Sequence, residues 1–134
     1  MSVKLSDEQA KSLGIAEHIP KRVVRTTGKN EKGQNKTEAA FDRHLADIKY
    51  RGGIKEYWFE AVKFRLAGRC YYTPDFYVIR DDDLHLCYEV KGFWRDDARV
   101  KFKVAAEKFP HIHWVAVRRI NGEWEYELIG GKVS

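Results

Sequence analysis

Cysteine is scarce in this 134-residue chain, with two in all, and long apolar runs are missing. Cys70 and Cys87 fall on neighbouring expected strands but out of register for a bridge, so two reduced, buried thiols and a reducing compartment are expected. Two cysteines are also too few for a structural zinc. His85, His111 and His113 have no partner at zinc-site spacing, so hydrogen-bonded or exposed imidazoles are expected. No apolar stretch approaches the ~20 residues of a membrane span. The opening MSVKLSDEQAK carries no apolar signal region, which points to a cytoplasmic protein with no membrane contact. A phosphate-binding glycine loop, a Ser-His-Asp arrangement with a local signature and an internal repeat are absent as well.

What is present suits one compact α/β domain, since 43% hydrophobic and 13% aromatic residues in 134 can fill one core but not two. Thr37 opens a helix running to about Tyr50, stopped by Arg51-Gly52-Gly53, with Phe41, Leu45 and Ile48 as its apolar stripe. Residues 57–66, 69–80 and 84–91 are rich in aromatic and β-branched types and read as three consecutive strands. Residues 96–109 read as a second helix with Ala98, Phe102, Ala105 and Phe109 inward. Strands at 112–118 and 124–128 follow, joined by Asn121-Gly122, a strong hairpin signal; the last is expected at a sheet edge with one wet face.

The second and third strands set up the chemistry. Glu89 and Lys91 must share a strand face, with Val90 on the other. Asp81-Asp82-Asp83 as a three-residue loop sets Arg80 against Leu84 and Asp75 directly opposite Glu89. Opposed Cβ atoms lie about 4.5–5.5 Å apart, and like charges there are destabilising unless neutralised. A metal ion neutralises them. A two-residue turn at Ala67-Gly68 brings Glu60 against Asp75 from the other side, on a buried face shared with Trp58, Val62, Phe64 and Leu66. A three-residue loop through Arg69 turns Glu60 away. Such hard oxygen donors suit Mg²⁺ or Mn²⁺ better than zinc, and with a lysine beside them they suit work on a phosphodiester.

Glu38 on a helix, then Tyr72-Thr73-Pro74-Asp75-Phe76, then Glu89-Val90-Lys91-Gly92-Phe93-Trp94 and a basic helix resemble the PD-(D/E)XK nuclease superfamily, and within it small phage and prophage nucleases. The resemblance covers roughly residues 36–120. It implies a restriction-endonuclease-like αβββαβ core with a mixed sheet flanked by helices, to which the C-terminal hairpin strand is added. It also implies a metal-dependent DNA endonuclease with Asp75, Glu89 and the Val90 carbonyl as metal ligands and Lys91 orienting the attacking water. Glu38 and Glu60 are both candidates to complete the site, and the choice between them stays open. A phage role in recombination or branched-DNA processing, in the host cytoplasm, is the implied biology, and likeness to small junction resolvases is compatible with a homodimer. The rival is a non-catalytic DNA-binding protein on the same fold, against which a row of repelling acids facing DNA phosphates argues. An RNA-directed or defence nuclease is a third reading.

Charge is concentrated ahead of that core. Lys21, Arg22, Arg25, Lys29, Lys32 and Lys36 face one acid, Glu31, in the same stretch, so this segment holds the whole net charge of +5. With Gly28, Gly33 and several Thr, Asn and Gln, residues 1–36 read as a short helix followed by a basic flexible arm that neutralises duplex or branched DNA, and residues 37–134 as the nuclease domain. Arg95, Arg99 and Lys103 recur at intervals of four on the second helix, a basic ridge suited to flanking phosphates. Phe93 and Trp94 are candidates for base stacking, with core packing the commoner use.

Overall fold

The computed structural model describes residues 29–92 and 96–129. Helix α1 (Lys36–Tyr50) begins with a capping box: Asn35 Oδ1 accepts from the Glu38 amide, and Glu38 Oε1 accepts from the Asn35 amide, both at 2.8 Å. Two of the amides stranded at a helix start are thereby satisfied. Phe41 and Leu45 are buried and Ile48 packs beside them, the expected stripe. Ahead of the helix, Asn30 accepts from the amides of Lys32 and Gln34, and buried Gln34 donates to Asp42 at 2.7 Å. The folded body therefore takes in residues 30–35, which composition had assigned to the arm. Residues 1–28, with Lys21, Arg22 and Arg25, lie outside the described residues.

The strands are β1 (Ile54–Phe59), β2 (Phe64–Ala67), β3 (Cys70–Tyr72), β4 (Phe76–Arg80), β5 (His85–Val90), β6 (His113–Ile120) and β7 (Glu123–Leu128), with helix α2 (Asp96–Lys108) between β5 and β6. A five-stranded sheet runs β1-β4-β5-β6-β7, and β2-β3 form a separate two-stranded sheet. Only β5 and β6 pair in parallel, since α2 carries the chain from one to the other. The fold is mixed α/β. One sheet face packs Phe76, Val78, Leu86, Val90, Val115 and Val117 with Phe41 and Leu45 of α1. On the other, Cys87, Trp114 and Ala116 meet Phe102, Ala105 and Ala106 of α2 together with Phe64, Leu66 and Tyr72 of the small sheet.

Two of the three expected strands are each broken in two. The first ends at Phe59 because Glu60 takes a left-handed φ of 48° and leaves the extended region. The second is interrupted at Pro74, which has no amide for a ladder. Both registers weighed for this region occur, in different pieces. β1 pairs β4 with Phe59 opposite Phe76, which continues to Glu60 opposite Asp75. β2 pairs β3 one residue out of that frame, with Phe64 opposite Tyr72 and an irregularity before Ala67–Cys70. The turn is Gly68-Arg69 rather than Ala67-Gly68, and Cys70 beside it is exposed rather than buried, whereas Cys87 is buried; both are free thiols. The β4–β5 hairpin has the expected register, Phe76 opposite Tyr88 and the Arg80 amide on the Leu84 carbonyl at 2.8 Å. At Asn121-Gly122 the φ values of 50° and 79° match a primed turn, and β7 is the sheet edge. Among the described residues no helix is long and apolar enough to cross a membrane.

Candidate metal centre

The centre lies where β1 and β5 end, β4 begins and α1 starts. Glu38, Glu60 and Asp75 each bring one carboxylate oxygen to a common point, all within 4.8 Å of one another. Each arrives for a different local reason. Glu38 is held by the capping box, so the bond that starts the helix also aims its carboxylate. Asp75 follows Pro74, and its Oδ2 accepts from the Val90 amide at 2.8 Å across the hairpin. Glu60 comes after the last residue of β1, with its amide on the Asp75 carbonyl at 2.8 Å. It is exposed, not buried on a strand face as expected, because its positive φ turns the chain out of the sheet. A non-glycine residue in that region is strained; Asp83 and Asn121 take the same region in hairpin turns, whereas Glu60 takes it at the end of a strand beside other acids.

Glu89 stands directly across from Asp75, as the register requires, but outside the three-oxygen group. Its Oε2 accepts from the Asp75 amide at 3.2 Å and from the Tyr72 hydroxyl, and its Oε1 pairs with Lys91 Nζ at 3.1 Å. Side chains thus replace backbone groups as the last rung of this ladder. The Val90 amide is the group that meets Asp75; the carbonyl was the group expected at the centre. Tyr72, one residue before Thr73-Pro74-Asp75, was missed as a functional residue. The signal was available, since a tyrosine in an apolar stretch needs an acceptor for its hydroxyl.

Burial and crowding raise the proton affinities here. Burial, followed by the Glu89 charge and then that of Glu38, pushes Asp75 up to about 8, against the pull of the Val90 amide and Lys91. Burial also raises Glu89, although Tyr72 and Lys91 oppose it. For Lys91 burial acts downward but is outweighed by Glu89, Asp75 and Glu38, so its ammonium is held above the usual range. Tyr72 is raised by burial and by Glu89, which keeps it a donor. Three acids, Glu89, Asp75 and Glu38, act on one lysine. A hard divalent cation fits this donor set, because it would supply positive charge to acids whose burial and mutual repulsion raise Asp75.

The remaining candidates are scattered. Lys29, Lys32 and Lys36 are exposed, with Lys32 3.8 Å from Asp42. Arg99 pairs with Glu127 of β7 at 2.9 Å, and Lys103 is exposed. Phe93, Trp94 and Arg95 lie outside the described residues. His85 shares a hydrogen bond with Tyr77, and His111 is exposed. A cavity of about 110 Å³ between α1 and the sheet, lined by Phe41, Leu45, Val78 and Leu86 among others, contains none of the acids above. Comparison of the chain with family models, curated proteins and solved structures gave no match.

Proposed function

We propose that this protein is a metal-dependent deoxyribonuclease that hydrolyses phosphodiester bonds as an endonuclease. The observation that carries the reading is the convergence of Glu38, Glu60 and Asp75 within 4.8 Å beside a Glu89–Lys91 pair. The order of elements supports it: along the main sheet the chain runs α1, three strands (β1, β4, β5), α2 and β6, the αβββαβ sequence of restriction-endonuclease-like folds, with β2-β3 inserted and β7 appended. Asp75, Glu38 and Glu60 would hold Mg²⁺ or Mn²⁺. Glu89 accepts two bonds at Oε2 and pairs with Lys91 through Oε1, which keeps a lone pair for a further contact, and the Val90 carbonyl remains a further candidate. When bound, the ion would supply Lewis-acid charge to a phosphodiester oxygen and lower the pKa of water.

The protein's own groups do the rest. Lys91, kept protonated by the acids around it, donates hydrogen bonds to the attacking water or to charge developing on the phosphate. Glu89 anchors that ammonium, and Tyr72 and the Asp75 amide fix Glu89 in turn. Processing of branched DNA during phage recombination, possible as a homodimer, is the biological setting we propose. The test is incubation of purified protein with single-stranded, duplex, flap and four-way DNA in Mg²⁺, Mn²⁺ or EDTA. Cleavage in metal that stops in EDTA and in Asp75→Ala is expected; an inert parent on every substrate overturns the reading.

A further inference from the structure

The chain leaves the main sheet at Glu60 and returns at Asp75, and the two ends are tied by the bond between the Glu60 amide and the Asp75 carbonyl. The candidate centre is therefore the base of the β2-β3 hairpin. Side chains on this hairpin divide cleanly. Phe64, Leu66 and Tyr72 turn into the core against Phe102 and Trp114, while Lys63, Arg65, Tyr71 and the turn residue Arg69 are exposed. Residues 61–74 contain these three cations and no acid. Lys63 Nζ sits 4.5 Å from the centre of the Tyr71 ring, and Arg65, opposite Tyr71, donates to the Gly68 carbonyl at 3.0 Å. Lys108 of α2 adds a fourth cation by donating to the Leu66 carbonyl at 2.7 Å.

Some exposed cations elsewhere are matched by acids, Lys49 by Glu56, Lys55 by Asp83, Arg80 by Asp82 and Arg118 by Glu125. Others, such as Arg43, Lys101 and Lys103, form no ion pair among the described residues, so what distinguishes the hairpin cations is their place in an acid-free stretch beside the candidate centre. Among the described residues, Lys63, Arg65 and Arg69 form no ion pair. A surface that carries only positive charge, with a tyrosine among it, is complementary to a polyanion. We infer that the outer face of the β2-β3 hairpin is a DNA contact surface, where Lys63, Arg65 and Arg69 take backbone phosphates beside the candidate centre. This rests on the nuclease reading and adds a binding element to it. Chain length limits the reach: Lys63 lies within about 11 Å of Glu60, and Arg69 within about 22 Å of Asp75. With one phosphate of each strand per about 3.4 Å of helix axis, those limits correspond to at most roughly three to six nucleotides along the axis from the reacting bond.

The test is duplex-DNA affinity in EDTA across a salt series, so that cleavage plays no part in it. K63Q/R65Q/R69Q should weaken binding at 0.1 M salt by about fivefold to tenfold per lost contact, and reduce the log–log salt slope by about 0.9 for each. K63Q/R69Q leaves the Arg65 bond to Gly68 in place and should show two thirds of the slope change, which separates contact from hairpin stability. K49Q/R51Q/K55Q removes the same charge from elsewhere and should change affinity less than about threefold, as expected for steering alone. Equal losses in both triples, or no loss in the hairpin variants, overturn the surface assignment; if the parent still cleaves DNA, the nuclease reading stands without it. A parent that neither binds nor cuts DNA removes both.

Discussion

The two ends of the β4–β5 hairpin carry the same kinds of side chain and put them to opposite uses. At the turn, Asp82 and Asp83 are exposed and paired, Asp82 with Arg80 and Asp83 with Lys55, each at 2.5 Å. The Arg80 hydrogen bond holds Asp82 down at about 2. At the base, Asp75 and Glu89 are buried, share Lys91, and Asp75 is pushed up to about 8. An acid in water with a matched cation is satisfied, and its bridge contributes little to stability. An acid buried among other acids stores unfavourable energy that a bound cation can relieve. The contrast singles out the base of the hairpin as the candidate site.

The largest expected effect is on cleavage. Asp75→Ala, Glu89→Ala and Lys91→Ala should each lower the cleavage rate by about 10²–10³ or more, the usual scale for removing a group that stabilises transition-state charge. DNA affinity in EDTA should stay within about threefold. Asp82→Ala should leave both untouched. Full activity in Glu89→Ala breaks the contrast between the two ends.

Stability comes next, with its pH dependence. Asp75 has a folded pKa of about 8 against an ordinary 3.8, so its native state binds the proton more tightly. That contribution is fully present below about pH 4 and is lost as pH rises toward 8. In EDTA the melting temperature of the parent should therefore fall between pH 5 and pH 8. Asp75→Asn should flatten that fall, melt higher than the parent at pH 8, and lose most of the Mn²⁺-induced increase. The parent should gain roughly 1.4 kcal/mol for each tenfold excess of Mn²⁺ over its dissociation constant. Asp82 has the opposite sign, its contribution being lost only as pH falls through about 2, so Asp82→Asn should keep the parent's profile from pH 5 to pH 8. An Asp75→Asn protein that melts lower at pH 8 and still responds to Mn²⁺ would show that the buried acids are not in conflict.

Glu38 and Glu60 allow a finer cut. Glu38→Ala removes half of a capping box as well as a candidate ligand, and should cost about 1 kcal/mol in EDTA besides weakening metal response. Glu60→Gly relieves a positive φ and should raise stability in EDTA by up to about 1 kcal/mol while weakening the response to metal. Metal titrations of cleavage and of melting temperature separate the two. A Glu60→Gly protein with an undiminished metal response removes Glu60 from the centre.

The smallest effect concerns the basic arm. K21Q/R22Q/R25Q should reduce affinity for all DNA sequences alike and lower the salt slope by at most about 0.9 per residue. An unchanged slope reduces that segment to a tether.

Local chemistry is what the sequence alone determined. The Asp81–Asp83 loop, with Asp83 at a φ of 66°, set the β4–β5 register and so placed Asp75 across from Glu89, because turn length and strand alternation leave one answer. Strand alternation likewise put Lys91 beside Glu89, and Asn121-Gly122 marked the last hairpin. The Asn35-x-x-Glu38 capping box was equally open to reading, although the helix start was placed one residue later, at Thr37 rather than Lys36. Tertiary structure decided what depends on segments far apart. Glu60 reaches Asp75 although the turn reasoned to bring it there does not exist: β1 pairs with β4 directly while residues 61–74 fold away as a hairpin of their own register. The capture of Glu89 by Tyr72, and the meeting of Glu38 with acids from two strands, arise only when α1 and the small sheet pack on opposite faces. No periodicity within one segment encodes such contacts, because they are set by which surfaces bury each other.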